Sequence, residues 1–505
     1  MKVTGKNYDS DFCGSLPLHN INLIQPYGYL LVLNREDFSI IQVSENIDQL
    51  LGVSAQELVK KDFSSFIDSA QVEVLRHMSL TAQNERRALT FSISYNESSY
   101  AGLVHYKKDY IILEIEPANQ KTSFIDIFQE LKNSLEQINR AVSVKEVSEI
   151  SVKELKKLSG FNKIMMYQFD ENWNGTVIAE ESDEGLESYL DLTFPASDIP
   201  RQARELYLKN PYRLIPDRDF TPVRLYPVRN PVTNSFLDLS DCNLRSVPAV
   251  HLEYLKNMDV RSSMSTRVII DENLWGLISC HHQEAKNLTY EECSMFELLS
   301  GVISARISSI RDKEQFDFKN SLRETRTRLF EQVYSNQSLV KGLLHDEANI
   351  MNLLNAGGAV VVQNGVIDSI GQVPNQEEIR NLVMWFQNKS VDNIFAETNL
   401  VGRYDHAGNY AKIGSGIMVI PIDQKKGDFV IAFRPETVTT VNWGGNPDEA
   451  INFEADGKKY HPRNSFRLWK ETVYQTSLPW HKDELAIAEE VKKFIFEYSS
   501  NYIYN

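Results

Sequence analysis

Four stretches of the chain gather side chains that could together hold a charged, flat ligand. FPASDIP carries Asp198, and YLKNPYRLIP carries Tyr207 and Arg213. LRSVPAVHLEYLKNM carries Arg245, His251 and Tyr254, while SSMSTRV with LWGLISCHH supplies Ser263, Ser265 and His281. Guanidinium groups and hydroxyls suit carboxylates, arginine through paired hydrogen bonds. Histidine and tyrosine bond polar ring edges, and aromatic rings pack on flat faces. Taken singly, each has a plainer account: surface arginines, a satisfied helix histidine, a core histidine at a strand end. Together they describe a pocket for a conjugated dianion.

The run FPASDIPRQAR, residues 194–204, sets a lone acid between two prolines. On local grounds Ser197 or Asp198 caps the helix that RQARELYLKN predicts, with Pro200 in its first turn. A simple cap is the better reading of this run on its own.

The elements that must position these residues are legible as blocks. Residues of about 20–118 alternate like strands in GYLLVLNRE, FSIIQVS, LTFSISY and GLVHYKKDYIILEIEP, with a short helical ENIDQLLG between the early ones. This predicts one small antiparallel sheet flanked by helices. FIDIFQELKNSLEQINRAVSVKEVSEISVKELKKL has helical periodicity and opens a second α+β unit that runs to about 305. There SMSTRVIIDENLWGLISCHH predicts a hairpin around a polar turn. From Tyr290 to about Tyr334 the spacing of Phe296, Leu299, Ile303, Ile307 and Ile310 predicts a long helix leaving one domain for the next. A third unit, about 335–480, repeats the strand–turn–strand pattern in GIMVIPIDQKKGDFVIAFRPE. WGGNPDEA…HPRNSFRLWKETV follows as a long excursion before the last helix, DELAIAEEVKKFIFEYSS. Excursions of that length in compact domains are often functional.

The 505 residues carry 69 acids against 53 bases, a net charge of −16, which disfavours nucleic acid and anionic membranes as partners. No uninterrupted apolar run approaches the length of a membrane span, and the N-terminus lacks the apolar core of a signal peptide. The cysteines, Cys13, Cys242, Cys280 and Cys293, form no CxxC pair and fit reduced thiols in the cytoplasm. Cys280 and Cys293 read as buried, whereas Cys13, in a polar arm, is either incidental or a covalent handle. Catalysis is poorly supported. There is no phosphate loop, HExxH or GxSxG, and the adjacent His281 and His282 are wrongly spaced for ligands on one helical face. His345, in LLHDEAN, reads as a solvated helix histidine.

In this order and spacing, FPASDIPRQAR, LRSVPAVHLEYLKNM, LWGLISCHH and HPRNSF resemble the photosensory module of a bacteriophytochrome, over essentially the whole chain. The resemblance implies an α+β multidomain fold of PAS, GAF and GAF-like PHY antiparallel sheets joined by long helices. Its expected parts are an N-terminal arm at 1–19, PAS at 20–120, GAF at 121–310 and PHY at 311–505, with a tongue at about 436–475. It also implies a figure-of-eight knot, in which the segment around Ile24 in LIQPYG threads a GAF loop near 220–240.

The implied cofactor is biliverdin IXα, bound by a thioether to Cys13 in CGSLPLH. Relatives that attach the bilin in the GAF domain use a cysteine directly before the histidine matching His251. Val250 stands there, which favours biliverdin, and Cys242 is better taken as structural. By resemblance, the Asp198 carbonyl and a water near His251 accept from the pyrrole N–H groups, with Ile199 and Pro200 alongside. Tyr167, Phe194 and Tyr254 wall the terminal ring and His281 bonds its carbonyl. Arg213 and Arg245 take one propionate, with Tyr207 nearby, and Ser263 and Ser265 take the other.

The side chain of Asp198 is expected to reach Arg463, and Ser465 to replace that arginine after the light-driven switch. Trp443, Trp469 and Glu471 lie on tongue strands that present another face when the tongue refolds. A homodimer through the long helices, and a histidine kinase output with its response regulator in full-length relatives, are further implications. Two departures stand out: Tyr27 replaces the usual histidine of IQPHG, and SVPAVH moves a proline to Pro248. A GAF-type module for another small ligand, such as a cyclic nucleotide, remains an alternative, but it leaves Cys13 and HPRNSF unexplained.

Overall fold

The computed structural model describes residues 21–81, 86–92, 99–118, 124–345, 348–389, 392–447, 451–453, 460–463 and 465–503. Cys13, the expected attachment residue, lies outside them. Two compact units emerge, Met1–Ile310 with Asn442–Trp469, and Arg311–Val441 with Lys470–Asn505.

In the first unit, β1 (Leu23–Ile24), β2 (Tyr29–Asn34), β3 (Ile40–Ser44), β4 (Arg86–Ser92), β5 (Ser99–Tyr106) and β6 (Tyr110–Pro117) join a later strand, β11 (Val223–Tyr226). The antiparallel order is β1-β11-β3-β2-β6-β5-β4. Helices α1 (Asp48–Leu51), α2 (Ala55–Leu58) and α3 (Ser69–Thr81) bring Leu50, Leu51, Leu58 and Leu75 to a core with Leu31, Val43 and Leu113 of the sheet. Ile24, fully buried, pairs with Val223 on one side and bridges Arg245 on the other. Just after this strand, Gln25 N donates to Leu244 O at 2.7 Å and Gln25 Nε2 to Leu214 O at 3.0 Å, so segments about 190 to 220 residues away in sequence hold the chain here.

The second sheet follows α4 (Phe124–Arg140) and α5 (Val144–Ser159). The Ser143 side chain accepts from Glu146 N and a Glu146 carboxylate oxygen accepts from Val142 N, satisfying donors left free at the start of α5. The strands are β7 (Lys163–Phe169), β8 (Gly175–Ser182), β9 (Thr193–Phe194), β10 (Tyr212–Ile215), β12 (Ser262–Ile270) and β13 (Asn273–His282), ordered β10-β12-β13-β7-β8-β9. The β12–β13 connection is Asp271–Glu272, both at positive φ (50° and 62°), the tight turn that matches strand twist. Between strands lie α6 (Arg201–Lys209) and α7 (Ala249–Asn257), and α8 (Tyr290–Asn336) runs from this unit into the next. Among the described residues α8 alone holds an apolar window as long as a membrane span. Its Cys293, Phe296, Leu299, Ile303 and Ile307 are nevertheless buried against the sheet.

The second unit adds α9 (Leu339–Leu344), α10 (Ile350–Leu353), β14 (Gly358–Gln363), β15 (Val366–Gly371), α11 (Gln376–Asn388), β16 (Phe395–Glu397), α12 (Ala411–Gly414), β17 (Gly416–Asp423) and β18 (Asp428–Arg434), and ends in α13 (Lys482–Ile503). Its sheet order is β15-β14-β18-β17-β16. Alternation along the strands divides the core. Val361, Met418 and Val430 pack with Leu329, Val333, Val491 and Ile495, whereas Val360, Val419 and Ile431 pack with Leu382 and Phe386 of α11. Between β18 and α13 the chain makes its excursion through β19 (Thr439–Gly444), β20 (Ile451–Phe453), β21 (Tyr460–Pro462) and β22 (Leu468–Val473). Trp443 on β19 pairs with Thr193 of β9, so this stretch extends the second sheet of the first unit. Trp469 and Glu471 lie on β22.

Candidate functional site

The reading of residues 194–204 as a helix cap does not hold. Pro200 itself is the N-cap of α6, and no side chain caps it. Asp198 sits just before, in a single 3-10 turn, Ala196–Asp198, that leaves its carboxylate free to point elsewhere. The carboxylate turns toward α7 and β21. The Tyr254 hydroxyl donates to Asp198 Oδ2 at 2.9 Å, and Arg463 Nη2 donates to the same oxygen. The two charged side chains are only 3% and 5% exposed, which makes this a buried ion pair. Burial pushes the Asp198 carboxyl up, and Arg463 and Tyr254 pull it back only in part. Burial acts downward on the Arg463 guanidinium, but Asp198 and Tyr254 together more than reverse it, so Arg463 stays charged. The Arg463 guanidinium lies 5.2 Å from the Phe194 ring and 4.8 Å from Phe466, and its backbone carbonyl accepts from Asn257 Nδ2 at 3.1 Å.

Beside this pair opens a cavity of about 180 Å³, larger than the roughly 150 Å³ engineered cavity that admits benzene. Asp198, Ile199, Pro200, Tyr207, Arg213, Arg245, His251 and Tyr254 all line it. Pro248 starts α7, and the spacing of three between His251 and Tyr254 puts both rings on the cavity side, stacked 6.0 Å apart. Burial, with Arg213 adding to it, lowers the His251 pKa to about 4, so at neutral pH its ring offers one donor and one acceptor.

Arg213 and Arg245 both line the cavity. Arg213 Nη1 donates to Asn243 O at 2.8 Å, and Nη2 to the carbonyls of Arg245 and Ser246, so this cation fixes the loop that carries its neighbour. Arg245 Nη1 is buried and has no hydrogen-bond partner among the described residues. Burial and then Arg213 depress the Arg245 pKa to about 9. Two buried guanidinium groups that repel one another, one with an unused N–H, make a seat that an anion would relieve. This donor set fits a flat molecule bearing carboxylates.

Ser263 and Ser265 lie on β12 directly opposite Ile215 and Arg213 of β10. The Tyr207 hydroxyl and Ser265 Oγ are 2.5 Å apart, so Tyr207 links the serine side of the site to the arginine side rather than belonging to the arginines alone. His281, the cross-strand partner of Ser263, is 8% exposed and bonds Ser279 Oγ at 3.0 Å. Burial, Lys163 and His251 together lower its pKa to about 3. Tyr167 and Phe194 meet edge to face at 5.6 Å in an aromatic cluster that Tyr254 joins from the cavity side. Cys242, Cys280 and Cys293 are buried and take part in no disulfide among the described residues.

Sequence reasoning missed several members of the site. Tyr189 packs on Phe194 at 5.7 Å and Phe466 on Tyr254 at 5.2 Å. Asn243 bonds Tyr212 and Asn210 behind the arginines. Phe466 lies inside the HPRNSF motif and could have been singled out there. Tyr189 and Asn243 carry no local signal, because their partners come from other segments.

Three family models match in succession: the PAS fold over residues 13–118, the GAF domain over 143–307 and the phytochrome region over 322–502. The chain is 32% identical to a bacteriophytochrome of Pseudomonas aeruginosa across 97% of this chain and 67% of that protein. The chain belongs to the phytochrome family. It is also 38% identical to cyanobacterial phytochrome B of Nostoc sp., over 96% of this chain and 66% of that protein. The chain thus spans just under two thirds of the length of the cyanobacterial phytochromes it matches. Among solved structures, a bacteriophytochrome from the photosynthetic bacterium R. palustris superposes with a TM-score of 0.83 at 30% identity, covering 97% of this chain and 99% of that one. The Stigmatella aurantiaca phytochrome photosensory core module superposes with 0.81 at 34% identity, covering 98% and 99%. The fold is accordingly the PAS-GAF-PHY arrangement of that family.

Proposed function

We propose that this phytochrome-family chain is a red/far-red photoreceptor module that binds biliverdin IXα in the cavity beside Asp198, through a thioether to Cys13. The observation that carries the reading is the buried arginine pair with its unused Arg245 N–H, lining the same cavity as Asp198 and His251. When bound, biliverdin supplies absorption of red light and a double bond to its terminal ring that isomerises on excitation.

The remaining steps belong to the protein. Arg213 and Arg245 hold one propionate, and Ser263, Ser265 and Tyr207 the other. The Asp198 carbonyl and the neutral His251 ring accept from or order the groups at the pyrrole nitrogens, favouring the protonated chromophore. Tyr167, Phe194 and Tyr254 bound the space in which the terminal ring turns, and His281 holds its carbonyl before the turn. Movement there disturbs Tyr254, which shares Asp198 Oδ2 with Arg463. Losing Arg463 alone would strand a buried carboxylate, so the excursion at about 436–475 must exchange partners, Ser465 replacing Arg463 as the strands carrying Trp443, Trp469 and Glu471 refold.

The same reading assigns domains at 20–120, 121–310 and 311–505 after the 1–19 arm, and a figure-of-eight threading of the Ile24 segment. It also assigns dimerisation through the long helices, a cytoplasmic location, and a signal passed to a histidine kinase and response regulator in the full-length protein.

The test is an absorption spectrum with biliverdin, before and after red light, beside Cys13→Ala. A red band that shifts reversibly, with acid-stable colour lost only in the variant, supports both the photoreceptor and the attachment site. No band in either protein sinks the reading.

A further inference from the structure

We propose that Arg204 is a positioning residue for the Asp198 turn, occupying the carbonyls of Ala196 and Ile199 so that the carbonyl of Asp198 is held open to a ligand; this rests on the bilin reading above. The turn accounts for its own backbone closely. Asp198 N donates to Pro195 O, Ile199 N to Ala196 O, and Ala203 N and Arg204 N to Pro200 O. Arg204 Nη1 donates to Ile199 O at 2.6 Å and reaches Ala196 O at 3.5 Å. The carbonyls of Pro195, Ala196, Ile199 and Pro200 are thereby engaged, and those of Ser197 and Asp198 take no part in these bonds.

Arg204 is 5% exposed and is the one buried residue of α6. Its guanidinium lies 4.6 Å over the Trp173 ring. Trp173 occupies the β7–β8 connection at φ 65°, a conformation that non-glycine residues adopt only when held there. The holding is visible. Asp170 Oδ1 accepts from Asn172 N and Asn174 N at 2.8 Å each, and Trp173 N donates to Asp170 O at 3.1 Å. Asn174 Oδ1 in turn accepts from Ala196 N at 3.3 Å. The hairpin tip therefore braces the acid turn twice, through Asn174 directly and through Trp173 and Arg204. A guanidinium suits this place because its planar fork can donate toward carbonyls while its face lies on a ring, which an ammonium cannot reproduce.

Arg204→Lys keeps the charge and removes the fork, and Trp173→Ala removes the supporting ring at a half-exposed position where the fold should survive. In the unloaded protein, hydrogen exchange at the Asp198 and Ile199 amides should accelerate about tenfold or more in Arg204→Lys and less in Trp173→Ala, with β12 and β13 amides unchanged. After biliverdin loading, the spectrophotometric titration of the chromophore should show its acid dissociation constant raised about tenfold in Arg204→Lys, in line with a misplaced acceptor. If Arg204 contributed charge alone, Arg204→Lys would titrate like the wild type, and that result overturns the proposal. Unchanged exchange at Asp198 and Ile199 overturns it as well, whatever the chromophore does. If wild-type protein takes up no biliverdin, the bilin reading fails, and the exchange experiment still decides whether Arg204 sets the turn.

Discussion

One carboxylate oxygen, Asp198 Oδ2, accepts both the Tyr254 hydroxyl of the cavity helix, at 2.9 Å, and the Arg463 guanidinium of the β20–β22 excursion. Any displacement of Tyr254 is therefore felt at Arg463 through a single atom. The pair is buried, so its partners are worth most as a set, and losing one costs more than losing both.

Asp198→Ala leaves Arg463 buried without a counter-charge, a loss of about 3–5 kcal/mol for docking of the excursion. Protection from hydrogen exchange at residues 460–463 should fall in this variant and in Arg463→Ala. The double variant should cost less than the sum of the two singles. Strict additivity would falsify the pairing.

Gly445 stands beside this contact at φ 104°, and a Cβ there would lie 2.3 Å from Ser465 O and 3.0 Å from Arg463 Nη1. Gly445→Ala adds both strain and a clash, about 1–3 kcal/mol from the backbone term alone. The expected result is easier proteolytic cleavage within 442–469 while the rest of the first unit, up to Ile310, stays folded. Wild-type resistance would show that the excursion tolerates a shift at this point.

Arg245→Met keeps the aliphatic stem and removes a buried cation that repels Arg213. The unloaded variant should be more stable by about 1–3 kcal/mol, the range for an unsatisfied buried polar group, and should assemble with biliverdin more slowly and more weakly. Thermal melts and assembly kinetics on the same samples check both halves. A variant that is less stable and binds normally contradicts the anion seat.

Acid should destabilise the unloaded protein through His251 and His281, whose pKa values fall to about 4 and about 3 in the fold. Both are depressed below the ordinary histidine value, so the unfolded chain takes up the proton first. Stability is full above about pH 6.5 and falls with acid, by up to about 1.4 kcal/mol per pH unit per group, until the folded values are passed. Denaturant melts of His251→Gln should show a shallower decline between pH 6 and 4 than the wild type. An unchanged slope would mean that His251 is not held neutral.

Strand and helix blocks were readable because their periodicity is local. The buried alternation of β8, the Phe296–Leu299–Ile303–Ile307 stripe of α8 and the Asp271–Glu272 turn each follow from neighbours in sequence. The motif set also pointed to the family and named Asp198, Tyr207, Arg213, Arg245, His251 and Tyr254 of the cavity lining, though not Asn210, Tyr212 or Ser246. Local reasoning failed where the deciding partner lay far along the chain. Asp198 looks like a helix cap in its own eleven residues, and its partners Tyr254 and Arg463, 56 and 265 positions away, turn it from the helix. Tyr207 looks like a companion of the arginines until β12 brings Ser265 against it. The same holds for Arg204, an ordinary helix residue in sequence that becomes a buried brace because the β7–β8 tip folds beneath it. Sequence determined which groups this protein can bring to a ligand. Tertiary structure decided which of them meet, because burial removes the water that would otherwise satisfy each one alone and forces buried charges and polar groups to find partners in the fold.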